Sequence, residues 1–117
     1  MKRDWDLIRD ILLEIESSSF ENQKVFIIKR SDSEKSLRGC HAKLLYEAGF
    51  ISGVIAHDTE LWQLLDADLT WKGQELLAHL RSSTILKSVK EKALDKGVDL
   101  SFDAVIKIAG TIINAIS

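Results

Sequence analysis

Leu37-Arg38-Gly39-Cys40-His41-Ala42-Lys43-Leu44-Leu45-Tyr46-Glu47-Ala48-Gly49-Phe50-Ile51-Ser52-Gly53-Val54-Ile55-Ala56-His57-Asp58-Thr59-Glu60-Leu61-Trp62-Gln63-Leu64-Leu65 is the stretch on which the fold turns. Its first half places Leu37, Cys40/His41, Leu44, Leu45 and Ala48 at the spacing of one helix stripe. Just upstream, Ser31 and Glu34 fit a capping box: the hydroxyl accepts from a first-turn amide while the carboxylate reaches back. The spacing predicts a helix over residues 32–48, closed by Gly49, which is free to take the positive φ that ends helices. The second half holds two apolar runs, residues 50–56 and 61–65, around the polar His57-Asp58-Thr59-Glu60. They read as a β-hairpin, although no Asn-Gly or Asp-Gly marks its turn.

Upstream of this stretch, Trp5, Ile8, Ile11, Leu12 and Ile15 form the stripe of a helix over residues 4–16, with Asp4 as N-cap. Ser17-Ser18-Ser19 ends it as a turn. Residues 24–30 contain Val25-Phe26-Ile27-Ile28, an unbroken apolar run that suits a short buried strand. Downstream, Thr70 caps a helix over 71–81 carrying Leu76, Leu77 and Leu80. A helix over 83–96 follows, with Ile85, Leu86, Val89 and Ala93 on one face and Gly97 at its end. Ser101 caps a last helix whose apolar positions, from Phe102 to Ile116, cover most of its circumference. Such a helix is buried by its own chain or by a second copy. Trp5, Trp62 and Trp71 are read as anchors of the core or its edge.

A helix running directly into a β-hairpin is the winged-helix arrangement. The fold class expected is therefore α+β: a winged helix-turn-helix-like domain with a small β-hairpin wing over residues 1–82, and two additional C-terminal helices over 83–117. Those helices either pack on the domain or mediate dimerisation. The usual short second helix is not visible, and only residues 17–24 could hold it.

Four segments carry a resemblance: Met-Lys-Arg-Asp-Trp-Asp-Leu-Ile-Arg-Asp-Ile-Leu-Leu-Glu-Ile-Glu (1–16), His-Ala-Lys-Leu-Leu-Tyr-Glu-Ala-Gly-Phe-Ile (41–51), Leu-Thr-Trp-Lys-Gly-Gln-Glu-Leu-Leu (69–77) and Leu-Ser-Phe-Asp-Ala-Val-Ile-Lys (100–107). Over nearly the whole chain they resemble an uncharacterised family of small bacterial and prophage proteins, a domain of unknown function with a winged-helix fold. The Leu-Thr-x-x-Gly element at 69–73 is similar to the one that closes the wing in many winged-helix regulators. The resemblance implies the fold and brings no catalytic residues with it. Arg38 and Gly39 depart from the family's pattern.

The composition is that of one globular domain: 117 residues, 45% hydrophobic and 29% charged, with a formal charge of −2. The charged N-terminus has no apolar signal region, and the apolar tract at 102–116 falls short of the roughly 20 residues a bilayer span needs. No membrane role is expected. A single cysteine excludes an internal disulfide and an all-cysteine zinc site, and it suits a reducing cytoplasm.

Charge is unevenly placed. Residues 24–43 hold six cations against two carboxylates, whereas residues 57–75 hold five carboxylates against one lysine. On the predicted helix, Leu37, Leu44 and Ala48 turn inward, leaving Lys35, Gly39, Ala42 and Tyr46 outward with Arg38 and Lys43 beside them. Small residues at the centre permit close approach to a duplex, and flanking cations neutralise phosphates. The expected DNA-binding residues are Lys35, Arg38, Lys43 and Tyr46. The acidic wing would repel phosphate, which leaves a solvated helix face as the competing reading. His41, His57, His79 and Cys40 show no metal-ligand spacing, and no catalytic, phosphate-loop or dinucleotide motif occurs. No cofactor and no enzymatic activity are expected. Two functions remain open: a DNA-binding or regulatory protein of prophage origin acting on double-stranded DNA, or an adaptor that docks a host or phage protein on the same scaffold. If the C-terminal helices pair two copies instead of packing on the domain, a homodimer through Phe102, Ile106, Ile112 and Ile113 fits either function.

Overall fold

A computed structural model describes residues 3–18, 24–29, 37–96 and 101–116. In chain order they form α1 (Trp5–Ser17), β1 (Lys24–Lys29), α2 (Leu37–Glu47), β2 (Ile51–His57), β3 (Leu61–Leu69), α3 (Trp71–Leu80), α4 (Ser83–Lys96) and α5 (Phe102–Ile116). The fold is α+β, with one antiparallel sheet in the order β1-β3-β2. Helix α1 starts where its apolar stripe begins, and the Asp4 carboxylate accepts from the Leu7 amide as N-cap. The predicted helix start and its capping box at Ser31 and Glu34 lie outside the described residues.

The sheet presents one face to the helices. Phe26 pairs with Leu64, which pairs on its other side with Ile55, and Ile28, Trp62 and His57 continue the same face. Strand β3 runs on to Leu69, beyond the expected end at Leu65, because a bulge shared by both pairings interrupts it at Asp66 (φ 54°). Simple alternation would turn Asp66 inward. The extra residue leaves its carboxylate in solvent and brings Ala67 into the core beside Leu64.

The expectation that β1 is a buried strand is corrected here. Only Phe26 is buried, while Val25 and Ile27 are exposed, because β1 is an edge strand covered on one side alone. The hairpin turn forms without glycine: Asp58 Oδ1 accepts from the amides of Glu60 and Leu61, both at 2.8 Å.

The corner between α2 and β2 explains the element at 69–73. Gly49 (φ 85°) closes α2, with the Phe50 amide donating to the Leu45 carbonyl and the Gly49 amide to that of Tyr46. Thr70 Oγ1 donates to the Gly49 carbonyl at 2.6 Å and accepts from the Gly73 amide, so one hydroxyl caps α3 and ties it to the corner. Helix α3 lies so close that a Cβ on Gly73 would sit 1.9 Å from the Phe50 carbonyl oxygen. Trp71, expected as a core anchor, is 78% exposed: the buried stripe of α3 is Gly73, Leu76, Leu77 and Leu80, and Trp71 falls off it.

One hydrophobic cluster joins the elements, running from Ile8, Ile11 and Leu12 through Leu45, Phe50 and Leu64 to Leu86, Val89, Val105 and Ala109. Phe102 sits between Trp5 and Phe50, its ring centroid 5.2 Å and 4.5 Å from theirs. Helix α5 therefore packs on its own chain, with Phe102, Ile106 and Ile112 half-buried against the core and Ile113 partly exposed.

Candidate functional site

Helix α1 absorbs much of the polar chemistry of the chain. His41 on α2 is fully buried: its Nε2 accepts from the Asp4 amide at 2.8 Å, and its Nδ1 lies 2.7 Å from the Leu37 carbonyl. These partners assign a neutral ring with its hydrogen on Nδ1. The Arg9 guanidinium donates to the carbonyls of Leu80 and Arg81, closing the C-terminal end of α3. Glu16 takes two hydrogen bonds from Arg81, and Asp6 pairs with Lys90 on α4. The Arg81 hydrogen bonds hold the Glu16 carboxyl below its ordinary value and raise that of Arg81.

The same helix meets the basic segment. Glu14 pairs with both Arg38 and Lys24, and the Arg38 guanidinium lies 5.1 Å from the Phe26 ring centroid. Arg38 is thus held between α1 and β1.

Helix α2 buries His41 and Leu45 as expected but is rotated about its axis relative to the expected stripe. Gly39 and Ala42 are buried with His41 and Leu45, whereas Leu37 is 52% exposed and Leu44 and Ala48 are partly so. Close approach to β1 is the cause: a Cβ on Gly39 would stand 2.4 Å from the Ile27 carbonyl oxygen. Glycine there lets helix and strand meet, so the small residues serve the fold and not a duplex. The solvent side of α2 instead carries Leu37, Cys40, Lys43, Leu44 and Glu47. Lys43 Nζ lies 3.9 Å from Glu47 Oε1.

This side of α2 looks onto the hairpin end of the sheet, and between them runs an open groove of about 920 Å³. Cys40, Lys43, Leu44, Tyr46 and Glu47 line it from the helix, and Ile28, Lys29, Ile55, His57 and Trp62 from the three strands. Its floor is apolar and its rim charged, in the manner of binding clefts. Lys43 Nζ stands 5.9 Å from the Trp62 ring centroid, over the indole.

Of the four residues expected to contact DNA, Lys43 and Tyr46 line this groove, Arg38 is engaged by Glu14, and Lys35 lies outside the described residues. Sequence reasoning missed Ile28, Lys29, Ile55, His57 and Trp62. The strand register would have placed Ile28, His57 and Trp62 on one line of the sheet. Among the described residues no group of three His, Cys, Asp or Glu side chains could hold a metal ion. No helix among them is long and apolar enough to cross a membrane.

Residues 2–99 match the model of a family described as hypothetical protein, DUF2513. An uncharacterised protein of Haemophilus influenzae is 38% identical over 114 residues, covering 97% of this chain and 97% of that one. No solved structure matches.

Proposed function

This chain belongs to the DUF2513 family of hypothetical proteins, and we propose that it is a non-enzymatic, winged-helix-type adaptor that docks a protein partner along the groove between α2 and the hairpin. One observation carries the reading. Among the described residues, the cations of 24–43 are divided: Arg38 and Lys24 converge on Glu14, Lys29 and Lys43 stand on the groove rim, and the outer side of α2 otherwise offers Leu37, Cys40 and Leu44, with Lys43 beside Glu47. A helix built to enter a duplex needs several uncompensated cations on its outer side. A half-apolar groove with a sparse charged rim suits a protein surface. The sheet order β1-β3-β2, with α2 leading into the hairpin, supports the winged-helix assignment. The single cysteine fits a cytoplasmic setting.

Double-stranded DNA is the second reading. It is favoured by α2 standing directly before the hairpin and by Lys29 and Lys43 on the groove rim. Anisotropy titration of a labelled random-sequence duplex over a range of salt separates the two. The adaptor leaves the duplex unbound at moderate salt. Binding that falls steeply with salt and is lost in Lys43→Glu overturns it in favour of a DNA-binding protein.

A further inference from the structure

We propose that the occupant of the groove is a short linear peptide that sets aliphatic or aromatic side chains on the groove floor and a carboxylate on its lysine rim. This names the partner chemistry of the docking reading above and rests on it.

Size comes first. A stable interface between folded proteins buries roughly 800 Å² on each partner. A groove of about 920 Å³, formed by ten side chains of one helix and a sheet end, has room for a few side chains of a linear segment. The floor then sets the apolar part. Ile28, Leu44, Ile55 and Trp62 are each only partly buried, so all four keep apolar surface in contact with water. Covering that surface is favourable, and Trp62 supplies a flat, rigid wall for an aliphatic or aromatic side chain.

The rim sets the charge. Among the described lining residues, Lys29 and Lys43 stand against one carboxylate, Glu47. Lys43 and Glu47 are both solvent-exposed, which makes theirs a weak pair. Lys29 forms no ion pair among the described residues. The hairpin-tip carboxylates Asp58 and Glu60 are not among the side chains lining the groove, and Asp58 Oδ1 already accepts from two turn amides. A peptide carboxylate near Lys29 and Lys43 gains a partner, whereas a peptide lysine meets two like charges. Selection among peptides therefore rests on this rim, and adhesion on the floor.

The test uses the full chain and a display library of random short peptides. Enriched sequences should combine aliphatic or aromatic residues with Asp or Glu. A synthetic peptide of that sequence should bind about tenfold more weakly to the Lys29→Glu/Lys43→Glu variant, and unchanged to Lys92→Glu, an exposed α4 residue outside the groove lining. Leu44→Glu, at a partly exposed position, should abolish binding while the melting temperature stays close to wild type. Enrichment of basic or purely apolar peptides that Leu44→Glu also abolishes overturns the carboxylate inference and leaves protein docking standing. Peptides indifferent to all groove variants, or a duplex bound through Lys43 with no peptide enriched, overturn both.

Discussion

Helices α1 and α2 pack side by side, yet their polar faces are put to opposite use. The polar side chains of α1 are directed at the chain itself: Asp6 to Lys90, Arg9 to the end of α3, Glu14 to Arg38 and Lys24, and Glu16 to Arg81. Its apolar stripe is buried throughout. On the outer side of α2 the apolar residues stay partly wet, and the one ion pair there among the described residues lies within the helix. The contrast teaches that a cluster of cations in sequence is not a positive surface. Glu14, distant in sequence from Arg38, decides the field there, and a composition window cannot see it.

The contrast is broken most sharply by truncating one leucine on each helix. Leu12 on α1 is fully buried, so Leu12→Ala should cost about 3 kcal/mol in urea unfolding, through lost burial and the cavity left behind. Leu44→Ala on the outer side of α2 should cost under about 1 kcal/mol, since much of that side chain already faces water. Equal losses would mean that the groove is part of the core. Next comes the link between the helices. His41→Leu removes the acceptor of the Asp4 amide and should cost about 2 kcal/mol, the usual penalty for a buried donor left unpaired. Amide exchange at Asp4 should speed up in that variant, and unchanged protection would show that the bond does not hold α1 in place.

A smaller effect separates the two cations of α2. Arg38→Ala should lower stability by roughly 0.5–1 kcal/mol, because the guanidinium both stacks on Phe26 and pairs with Glu14, although its exposure screens the charge. Lys43→Ala should fall within about 0.5 kcal/mol of wild type, as for an exposed intrahelical pair. A double-mutant cycle of Arg38 and Glu14 that shows no coupling would return Arg38 to solvent and revive the duplex reading.

Elements that rest on local chemistry were legible in the sequence. The Asp4 and Thr70 caps, Gly49 and the stripes of α1, α3 and α4 depend on residues within a turn or two of each other. What failed depends on contacts across the chain. The rotation of α2 is set by Gly39 against the β1 backbone, an approach that no spacing rule encodes. An apolar run such as Val25-Phe26-Ile27-Ile28 cannot say whether its strand is covered on one face or two. The groove was half legible. Lys43 and Tyr46 were singled out on α2, but the three strands add their side chains through register, and the bulge at Asp66 resets which β3 residues face inward.

The smallest expected effect concerns the outer ion pair of α1. Glu16 is solvent-facing, and its folded-state value lies below the unfolded 4.5 because Arg81 hydrogen-bonds the carboxylate. A carboxyl with a depressed folded value stabilises the fold above its unfolded value and loses that contribution as pH falls through the folded one. The urea midpoints of wild type and Arg81→Ala should therefore differ at neutral pH, begin to converge as pH drops below 4.5, and meet once pH is below the folded-state value of Glu16. Salt should shrink the neutral-pH difference as well, since the pair is open to solvent. A gap that stays constant across the acid range would mean that Arg81 acts through packing alone. The charged side of α1 would then resemble the outer side of α2 more closely than their ion-pair geometries do.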